Sequence, residues 1–565
     1  MSRRIITTVK KSIVRLVDIC YQRGLRRVIF SPGSRNAPLV IAFTAHGGYD
    51  CQTVADERVA AFIALGHGIA THQPTIICCT SGSAVLNYAP AIAEAYYQRV
   101  PLLILTADRP SEWIDQGIGQ SMRQKEVYKN YIKFSSPWIE NAKSEEDLLH
   151  NDEVINKSIS ITTTQPYGPV HINIPFYEPL YETISHTEHS PPLIVDLSVH
   201  PSNYELDKDL IRIWNNSKRK IILVGQLHPD KTLGERLSAL VKRKDVILVT
   251  ETTSNIKGDL TIGCIDRALN GVGRSRSLLQ PDLLISIGGA IISKLIKKFF
   301  RENKPSRHWY LDEGQLKDTY RANPSHLKAQ PLTVLTQLIQ LPSKNNTAFQ
   351  KCWNNLREQT SRAHNEFVKE LPYSDLKVMA EIFSNCPPKC NLHLANSTPV
   401  RYAQLFEQKE TINYYSNRGV SGIDGSTSTA IGFSQLDSKH NILVTGDMSF
   451  LYDSNAFWIT EYPANLSIIL INNGGGGIFR YIPGPDTTDQ LESVFEAHHK
   501  LDASHISKMY GLSYRSINNI DDFKLKFGEL VGQKFTKMLL EVFTPRENNA
   551  KILRQYFSYI KSQAI

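Results

Sequence analysis

Two predicted strand ends carry side chains suited to bind a metal ion and phosphate groups. One apolar run ends at Thr445-Gly446-Asp447, and a later one ends at Asn473, directly before the four glycines of residues 474–477. The interval between Asp447 and Asn473 has the length of one helix and one return strand, so both side chains should leave the same edge of a sheet. A carboxylate, a carboxamide and a glycine carbonyl suit Mg²⁺, and glycines let the backbone approach a diphosphate closely.

The same spacing is that of the thiamine-diphosphate (ThDP) binding motif, a Gly-Asp pair followed at this interval by an asparagine. Aspartate and asparagine at strand ends also form ordinary turns, so the spacing alone leaves a structural explanation open. Glu57, at the start of a predicted helix, has two explanations as well. It is either a carboxylate favoured by the helix dipole, or a buried acid with a raised pKa that shares a proton with a ring nitrogen of ThDP.

Polar and cationic residues recur where other predicted strands end. They are Ser34-Arg35, Asp56-Glu57-Arg58, Ser81-Gly82-Ser83 and Asp108-Arg109 in the first third, and Ser397 and Asn417-Arg418 in the last third. Ligands of doubly wound sheets bind at the carboxyl ends of strands, so two such edges facing each other would form a composite site. Each cation could be a solvated surface charge. Together they suit a site that holds several carboxylates.

The alternation of strand and helix patterns predicts the fold class. At 565 residues the chain is too long for one core, and short β-rich apolar runs alternate with helical patterns in three successive stretches. We therefore predict an α/β protein of three doubly wound, mostly parallel-sheet domains, over residues 1–184, 200–345 and 370–565, with a linker over residues 185–201. The first and third repeat one order of motifs, which predicts two copies of one fold around an unlike, Rossmann-like middle domain.

Composition and charge argue against several classes of function. The net charge of +9 is spread along the chain without basic blocks, so we expect no nucleic-acid partner. No apolar run approaches the roughly 20 residues of a membrane span. The basic, amphipathic residues 1–20 predict a first helix rather than a signal peptide. The eight cysteines show no metal-binding spacing, so we expect reduced cysteines and a cytoplasmic location.

With these residues assembled, the chain resembles ThDP-dependent enzymes along nearly its whole length. Among them it is similar to the 2-succinyl-5-enolpyruvyl-6-hydroxy-3-cyclohexene-1-carboxylate (SEPHCHC) synthase family of menaquinone biosynthesis. The segments that carry the resemblance are SPGSRNAPL (31–39), DER (56–58), TSGSAVLN (80–87), LTADRP (105–110), SNRGVSGIDG (416–425) and INNGGGGIF (471–479). The ThDP motif alone leaves decarboxylases and acetolactate synthases open, and the first and fifth segments select this family.

The resemblance implies a transferase that uses ThDP and Mg²⁺ or Mn²⁺. It would decarboxylate 2-oxoglutarate and add the remaining succinyl-semialdehyde carbanion equivalent to isochorismate in a 1,4 sense. Glu57 corresponds to the carboxyl that activates the cofactor, and Asp447, Asn473 and the Gly475 carbonyl correspond to metal ligands. Ile423 corresponds to an apolar wedge that bends the cofactor. The other implied cofactor contacts are Ser81, Gly82, Gly446, Met448 and Ser449, and the implied substrate contacts are Ser34, Arg35, Arg109, Gln120, Lys294, Ser397, Arg401, Arg418, Ile478 and Phe479.

The resemblance also implies a homodimer or a dimer of dimers. Its sites would lie between subunits, with the pyrimidine end of ThDP on the first domain of one chain and the diphosphate end on the third domain of another. Leu295 and Gly119 depart from residues common in the family, which puts details of carboxylate binding in doubt. Met448 replaces a leucine or glycine and should matter little. Nothing in the middle domain beyond its fold argues for a bound ligand.

Two alternatives remain open on the sequence. One is another ThDP-dependent 2-oxo acid decarboxylase or an acetolactate-synthase-like enzyme, which the number of cations disfavours. The other is a catalytically silent relative that kept the fold. Such a relative would be expected to have lost Glu57 or a metal ligand, and all of these residues are present.

Overall fold

The computed structural model describes residues 6–185, 192–195, 204–272, 276–343, 347–532 and 537–563. Within these ranges, none of the helices combines the length and the apolar character needed to cross a membrane. The predicted domain borders at residues 1, 200, 345 and 565 lie outside the described residues, as does most of the predicted linker. The division into three domains therefore stays a prediction.

The first stretch of chain alternates strands and helices. Its elements are β1 (Ile6–Thr8), α1 (Lys11–Gln22), β2 (Arg27–Ser31), α2 (Ala37–His46), β3 (Asp50–Thr53), α3 (Glu57–Thr71), β4 (Thr75–Cys79), α4 (Ser83–Asn87), α5 (Ala89–Gln98), β5 (Leu102–Asp108), β6 (Phe134–Ser135), α6 (Glu145–Thr163), β7 (Pro169–Pro175) and β8 (Thr183–Ser185). Strands β2 to β7 form a parallel sheet in the order β3-β2-β4-β5-β7-β6.

The middle stretch forms a second six-stranded parallel sheet. Its elements are α7 (Lys208–Asn216), β9 (Lys220–Val224), α8 (Lys231–Val241), β10 (Val246–Thr250), β11 (Thr261–Ile262), α9 (Ile265–Asn270), β12 (Leu283–Ile287), α10 (Lys294–Glu302), β13 (Arg307–Leu311), β14 (Ser325–Leu327) and α11 (Pro331–Gln340). The strand order is β11-β10-β9-β12-β13-β14.

The last stretch forms a third parallel sheet, in the order β16-β15-β17-β18-β20-β19. Its elements are α12 (Thr347–Lys369), α13 (Asp375–Asn385), β15 (Asn391–Leu394), α14 (Thr398–Ala403), β16 (Asn413–Tyr415), α15 (Ser426–Leu436), β17 (Asn441–Gly446), α16 (Asp447–Tyr452), β18 (Leu466–Asn472), α17 (Ser504–Tyr510), β19 (Ser513–Ile517), α18 (Ile520–Gly532), β20 (Met538–Phe543) and α19 (Arg546–Gln563). Short turns of 3₁₀ helix include Gly477–Arg480.

Three parallel sheets confirm the predicted fold class, and their strand orders confirm the predicted repeat. Numbered along the chain within each sheet, the first and third sheets both run 2-1-3-4-6-5, whereas the middle sheet runs 3-2-1-4-5-6. Central strands such as β4, β5 and β9 are buried along their whole length. Continuous apolar strands of this kind are typical of parallel sheets with helices on both faces.

The prediction of one helix over residues 1–20 is wrong in part. Strand β1 precedes the helix and pairs antiparallel with β8, and α1 begins only at Lys11. The partner strand β8 lies at the opposite end of the first stretch of chain, with Ile6 opposite Ser185. A strand that depends on so distant a partner has no local sequence pattern that indicates it.

The described residues form two compact units that are not consecutive stretches of chain. The first unit contains the described residues within Met1–His200, together with Gly419–Ser438 and Asp453–Pro463. The second contains those within Pro201–Arg418, Lys439–Tyr452 and Ala464–Ile565. Helices α3 and α15 cross closely in the first unit. A Cβ on Gly66 would lie 2.2 Å from the Thr429 oxygen, and one on Gly432 would lie 2.1 Å from the Ile63 oxygen.

Candidate active site

The third sheet brings Asp447 and Asn473 to one edge. Strands β17 and β18 pair in parallel with Gly446 opposite Ile471, so the residues that follow them leave the sheet side by side. Asp447 is 3% exposed and Asn473 8% exposed. Met448, partly exposed, and the buried Ser449 continue from Asp447 into α16. The edge therefore presents a buried carboxylate beside a buried carboxamide.

The amide of Asn473 has a defined orientation. Its Nδ2 donates to Oδ2 of Asp375 over 3.0 Å. Its Oδ1 is buried and accepts no hydrogen bond from any described residue. A buried carbonyl oxygen without a donor is costly unless another electropositive partner satisfies it. This oxygen is thus available to a cation.

Asp447 is held by the backbone around it. Gly475 N–H donates to its Oδ2 over 2.9 Å and Met448 N–H to its Oδ1 over 2.7 Å. The Nε2 of His499 lies 3.5 Å from Asp447 Oδ2, and this carboxylate raises the pKa of His499. Asp447, Asn473 and Gly475 therefore share one small volume of the second unit.

The glycine run allows a close backbone approach. Gly475 has a φ of +144°, and a Cβ there would lie 2.6 Å from the backbone oxygen of Glu496. Only glycine fits this conformation and this space. The acidic and amide oxygens beside a bare backbone fit a divalent cation that shares its coordination sphere with a diphosphate.

Asp375, the first residue of α13, was not predicted from the sequence. It is buried and accepts from Asn473, from the Thr544 hydroxyl (2.5 Å) and from Asn549 Nδ2 (2.9 Å). Burial raises its pKa to about 6, against the effect of the three donors. It lies 98 positions from Asn473 in the chain, so no spacing rule could have linked the two residues.

The predicted substrate residues of the second unit lie on several elements. Arg418 donates from Nη1 to Asn396 Oδ1 over 2.7 Å, and Ser397 precedes α14 with a φ of +76°. Arg401 lies on α14 and Lys294 is the exposed first residue of α10. Ile478 and Phe479 are partly exposed in the 3₁₀ turn after the glycine run.

Glu57, the first residue of α3, lies in the first unit. It is half-buried, and its Oε2 accepts from Asn87 Nδ2 over 3.1 Å. The expectation of a fully buried carboxyl is therefore not met within one chain. Ile423, also half-buried, lies in the same unit, and Nη1 of Arg58 donates to the neighbouring Asp424 oxygen.

A second group of predicted residues converges in the first unit. Ser81 donates to the Gln120 oxygen over 2.8 Å, and a Cβ on Gly82 would lie 3.2 Å from Gln120 Cα. Gly82 N–H donates to Gln124, a buried residue that was not predicted. Arg109 donates from Nη2 to the Gly119 oxygen over 3.0 Å.

Three predicted arginines keep an unsatisfied donor. The Nε groups of Arg35, Arg109 and Arg401 are buried and bond to no described residue. Arg35 is otherwise bound to the Phe176 oxygen and to Glu178, whereas the neighbouring Ser34 is exposed. Buried guanidinium donors of this kind suit an anionic ligand.

Comparisons with known proteins agree with this architecture. Residues 14–127 match the family model described as thiamine pyrophosphate enzyme, N-terminal TPP binding domain, and residues 192–394 match the one described as middle domain of thiamine pyrophosphate. The chain is 40% identical over 549 residues to a SEPHCHC synthase of Flavobacterium johnsoniae, which covers 96% of this chain and 97% of the relative. It is 38% identical to one of Christiangramia forsetii (97% and 98% covered) and 36% identical to one of Porphyromonas gingivalis (98% of each).

Proposed function

This chain belongs to the SEPHCHC synthase family of ThDP-dependent enzymes, and from that membership we propose that it decarboxylates 2-oxoglutarate and adds the remaining four-carbon unit to isochorismate. The addition is 1,4 and gives SEPHCHC for menaquinone biosynthesis. Bound ThDP supplies the electron sink for the loss of carbon dioxide. The observation that carries the proposal is the buried Asp447 carboxylate beside Oδ1 of Asn473, which accepts no hydrogen bond within the described part of the chain.

The chain's own residues divide the binding work. We assign the metal, Mg²⁺ or Mn²⁺, to Asp447, Asn473 and the Gly475 carbonyl, and the diphosphate to the backbone around Gly446, Met448 and Ser449. The glycine run and the donor-free amide oxygen support this assignment. Ser81, Gly82 and Ile423 are assigned to the rest of the cofactor.

The substrates are both dicarboxylates, and the remaining residues suit them. Arg35, Arg109 and Arg401 each keep a buried donor for an anion, and Arg418 and Lys294 add further positive charge. An arginine side chain both attracts and orients a carboxylate, and a small substrate with one carboxylate would not require this many cations. Ser34, Gln120 and Ser397 are assigned to polar contacts, and Ile478 and Phe479 to apolar ones.

We propose that Glu57 holds and shares a proton with the cofactor ring, in a site completed by a second copy of the chain. Glu57 is only half-buried within one chain, and the second copy would supply the remaining burial that this role requires. A homodimer is then the smallest active form. The free state of all eight cysteines supports a cytoplasmic location.

Carbon dioxide release from 2-oxoglutarate, with ThDP and Mg²⁺, tests the proposed reaction. We expect release that isochorismate strongly stimulates, with isochorismate consumed in step. Equal release without isochorismate would indicate a simple decarboxylase. Turnover of pyruvate in place of 2-oxoglutarate would indicate an acetolactate-synthase-like enzyme.

Replacement of Glu57 tests its assigned role. Glu57→Gln should lower kcat by at least about 100-fold, because the amide cannot exchange a proton. Glu146→Gln is the matched control, since Glu146 is an exposed acid in the first turn of α6 and shares only the helix-dipole effect. Full activity of Glu57→Gln would mean that Glu57 is only a helix-terminal carboxylate with a structural role.

A further inference from the structure

A single buried carboxylate binds three successive backbone amides of the SNRGVSGIDG segment. Glu94, on α5, is 1% exposed. Its Oε1 accepts from Gly419 N–H over 2.6 Å, and its Oε2 accepts from Val420 N–H over 2.7 Å and from Ser421 N–H over 3.3 Å. Glu94 and the three residues that donate to it all belong to the first compact unit.

Shape reinforces these hydrogen bonds at the start of the segment. A Cβ on Gly419 would lie 2.6 Å from the Glu94 backbone oxygen, and Gln98 Nε2 donates to the same Oε1 that Gly419 uses. Ser421 has a φ of +67°, a conformation that side chains rarely adopt without support from their surroundings. The carboxylate therefore fixes an otherwise unfavourable backbone path.

The far end of the segment is fixed independently. Arg58 donates to the Asp424 oxygen, and a Cβ on Gly425 would lie 2.2 Å from the Phe62 ring. Ile423 lies between the two anchors and is itself only half-buried. The backbone anchors on either side thus hold the position of Ile423 in the segment.

We propose that Glu94 is a positioning residue for ThDP, holding residues 419–421 so that Ile423 stands where the cofactor requires it. This inference rests on the proposed function, because it takes Ile423 as a cofactor contact. Burial raises the pKa of Glu94 and the three amides oppose that rise. Among the described residues no cation forms an ion pair with this carboxylate, and its hydrogen bonds go to the three amides of the loop and to Gln98.

Glu94→Gln is the test, with two readouts. Glutamine keeps one acceptor oxygen and turns an NH₂ group toward a backbone N–H, so at least one of the three bonds is lost. We expect faster hydrogen exchange at residues 419–421 in the cofactor-free protein. We also expect ThDP to bind about tenfold more weakly or worse in a fluorescence titration with Mg²⁺.

Asp152→Asn provides the matched control. Asp152 is a buried carboxylate on α6 of the same unit, bound to Arg15 and to Leu193 N–H and not to the segment. This variant should lose stability and keep the ThDP affinity of the wild type. If Glu94→Gln does not fold, Gly419→Ala displaces the loop and leaves the Glu94 charge in place, with the same loss of affinity expected.

The outcomes separate this inference from the proposed function. Unchanged exchange at residues 419–421 and unchanged ThDP affinity in a folded Glu94→Gln variant would overturn the role of Glu94 alone. An equal loss of affinity in Asp152→Asn would also overturn it, since that would mark a general effect of stability. Wild-type protein that binds no ThDP would instead overturn the proposed function, and with it this role.

Discussion

In the metal site that we propose, the orientation of Asn473 is decided by Asp375, a residue that we do not assign as a ligand. An asparagine side chain can turn either its oxygen or its NH₂ group toward a cation, and only the oxygen binds one. Asp375 resolves the choice, because its carboxylate has no donor to offer and so attracts the Nδ2 of Asn473. Support of this kind commonly sets the affinity of a site as strongly as the ligands do.

Asp375→Asn should reverse that orientation. The new side chain must accept from Thr544 and Asn549 and would then turn its own NH₂ group toward Asn473, whose oxygen would rotate to meet it. We expect affinity for Mn²⁺, measured by electron paramagnetic resonance with ThDP present, to fall by about 10- to 100-fold. Asp152→Asn, which changes a buried carboxylate bound to Arg15 and to Leu193 N–H, should leave it unchanged. Equal Mn²⁺ affinity in both variants would refute the orienting role.

At the scale of elements, the crossing of α3 and α15 depends on two glycines. Gly66 and Gly432 each face a backbone oxygen of the other helix, which leaves no room for a methyl group. We expect Gly432→Ala to destabilise the protein by about 1–3 kcal/mol in urea unfolding, although alanine is the better helix former.

Gly234→Ala is the control for that comparison. Gly234 lies in α8, where a Cβ would meet no atom within 4 Å. This variant should be neutral or stabilised by up to about 1 kcal/mol through helix propensity. A Gly432→Ala variant as stable as Gly234→Ala would mean that the two helices can separate at little cost.

Elements and motifs were predictable where the signal is local. The helix predicted to start at Glu57 spans Glu57–Thr71, and short β-rich apolar runs form strands such as β4 and β5. The residues that orient the site were not predictable. Glu94 and Gly419 are 325 positions apart, and a buried acid on a helix has no pattern that names its partner. Such contacts depend on how whole elements pack, which propensity and spacing do not encode.

At the scale of the whole molecule, buried histidines and buried acids have opposite effects on the free energy of unfolding as the pH falls. Burial lowers the pKa of His171 and His364 to about 3, and raises that of Glu251 and Asp453 to about 7. The two histidines lower the free energy of unfolding as the pH falls below their unfolded-state pKa of roughly 6.5, because the unfolded chain then binds protons that the native state does not. The two acids raise the free energy of unfolding over much the same pH range, because their raised pKa values let the native state bind protons that the unfolded chain does not.

Comparison of the wild type with a His171→Gln variant isolates the contribution of one buried histidine to this pH dependence. His171 is fully buried, and its Nε2 lies 2.7 Å from the Thr106 hydroxyl. Relative to His171→Gln, the wild type should lose about 2 kcal/mol of unfolding free energy between pH 7 and pH 5. Denaturant unfolding at both pH values measures this loss, and parallel pH profiles of the two proteins would show that His171 binds a proton as readily in the native state as in the unfolded chain.

The hydrogen bond from Gly474 N–H to Asn472 Oδ1, 3.0 Å long, also bears on chemical ageing. Asn473-Gly474 is a sequence prone to deamidation, in which the glycine nitrogen attacks the asparagine side chain, and asparagine is a heat-labile residue in many proteins. In the fold, that nitrogen is directed to Asn472, while the amide of Asn473 is bound to Asp375. The native structure therefore protects Asn473, a proposed metal ligand, from conversion to aspartate, and the lifetime of the proposed site is tied to the time the chain spends folded.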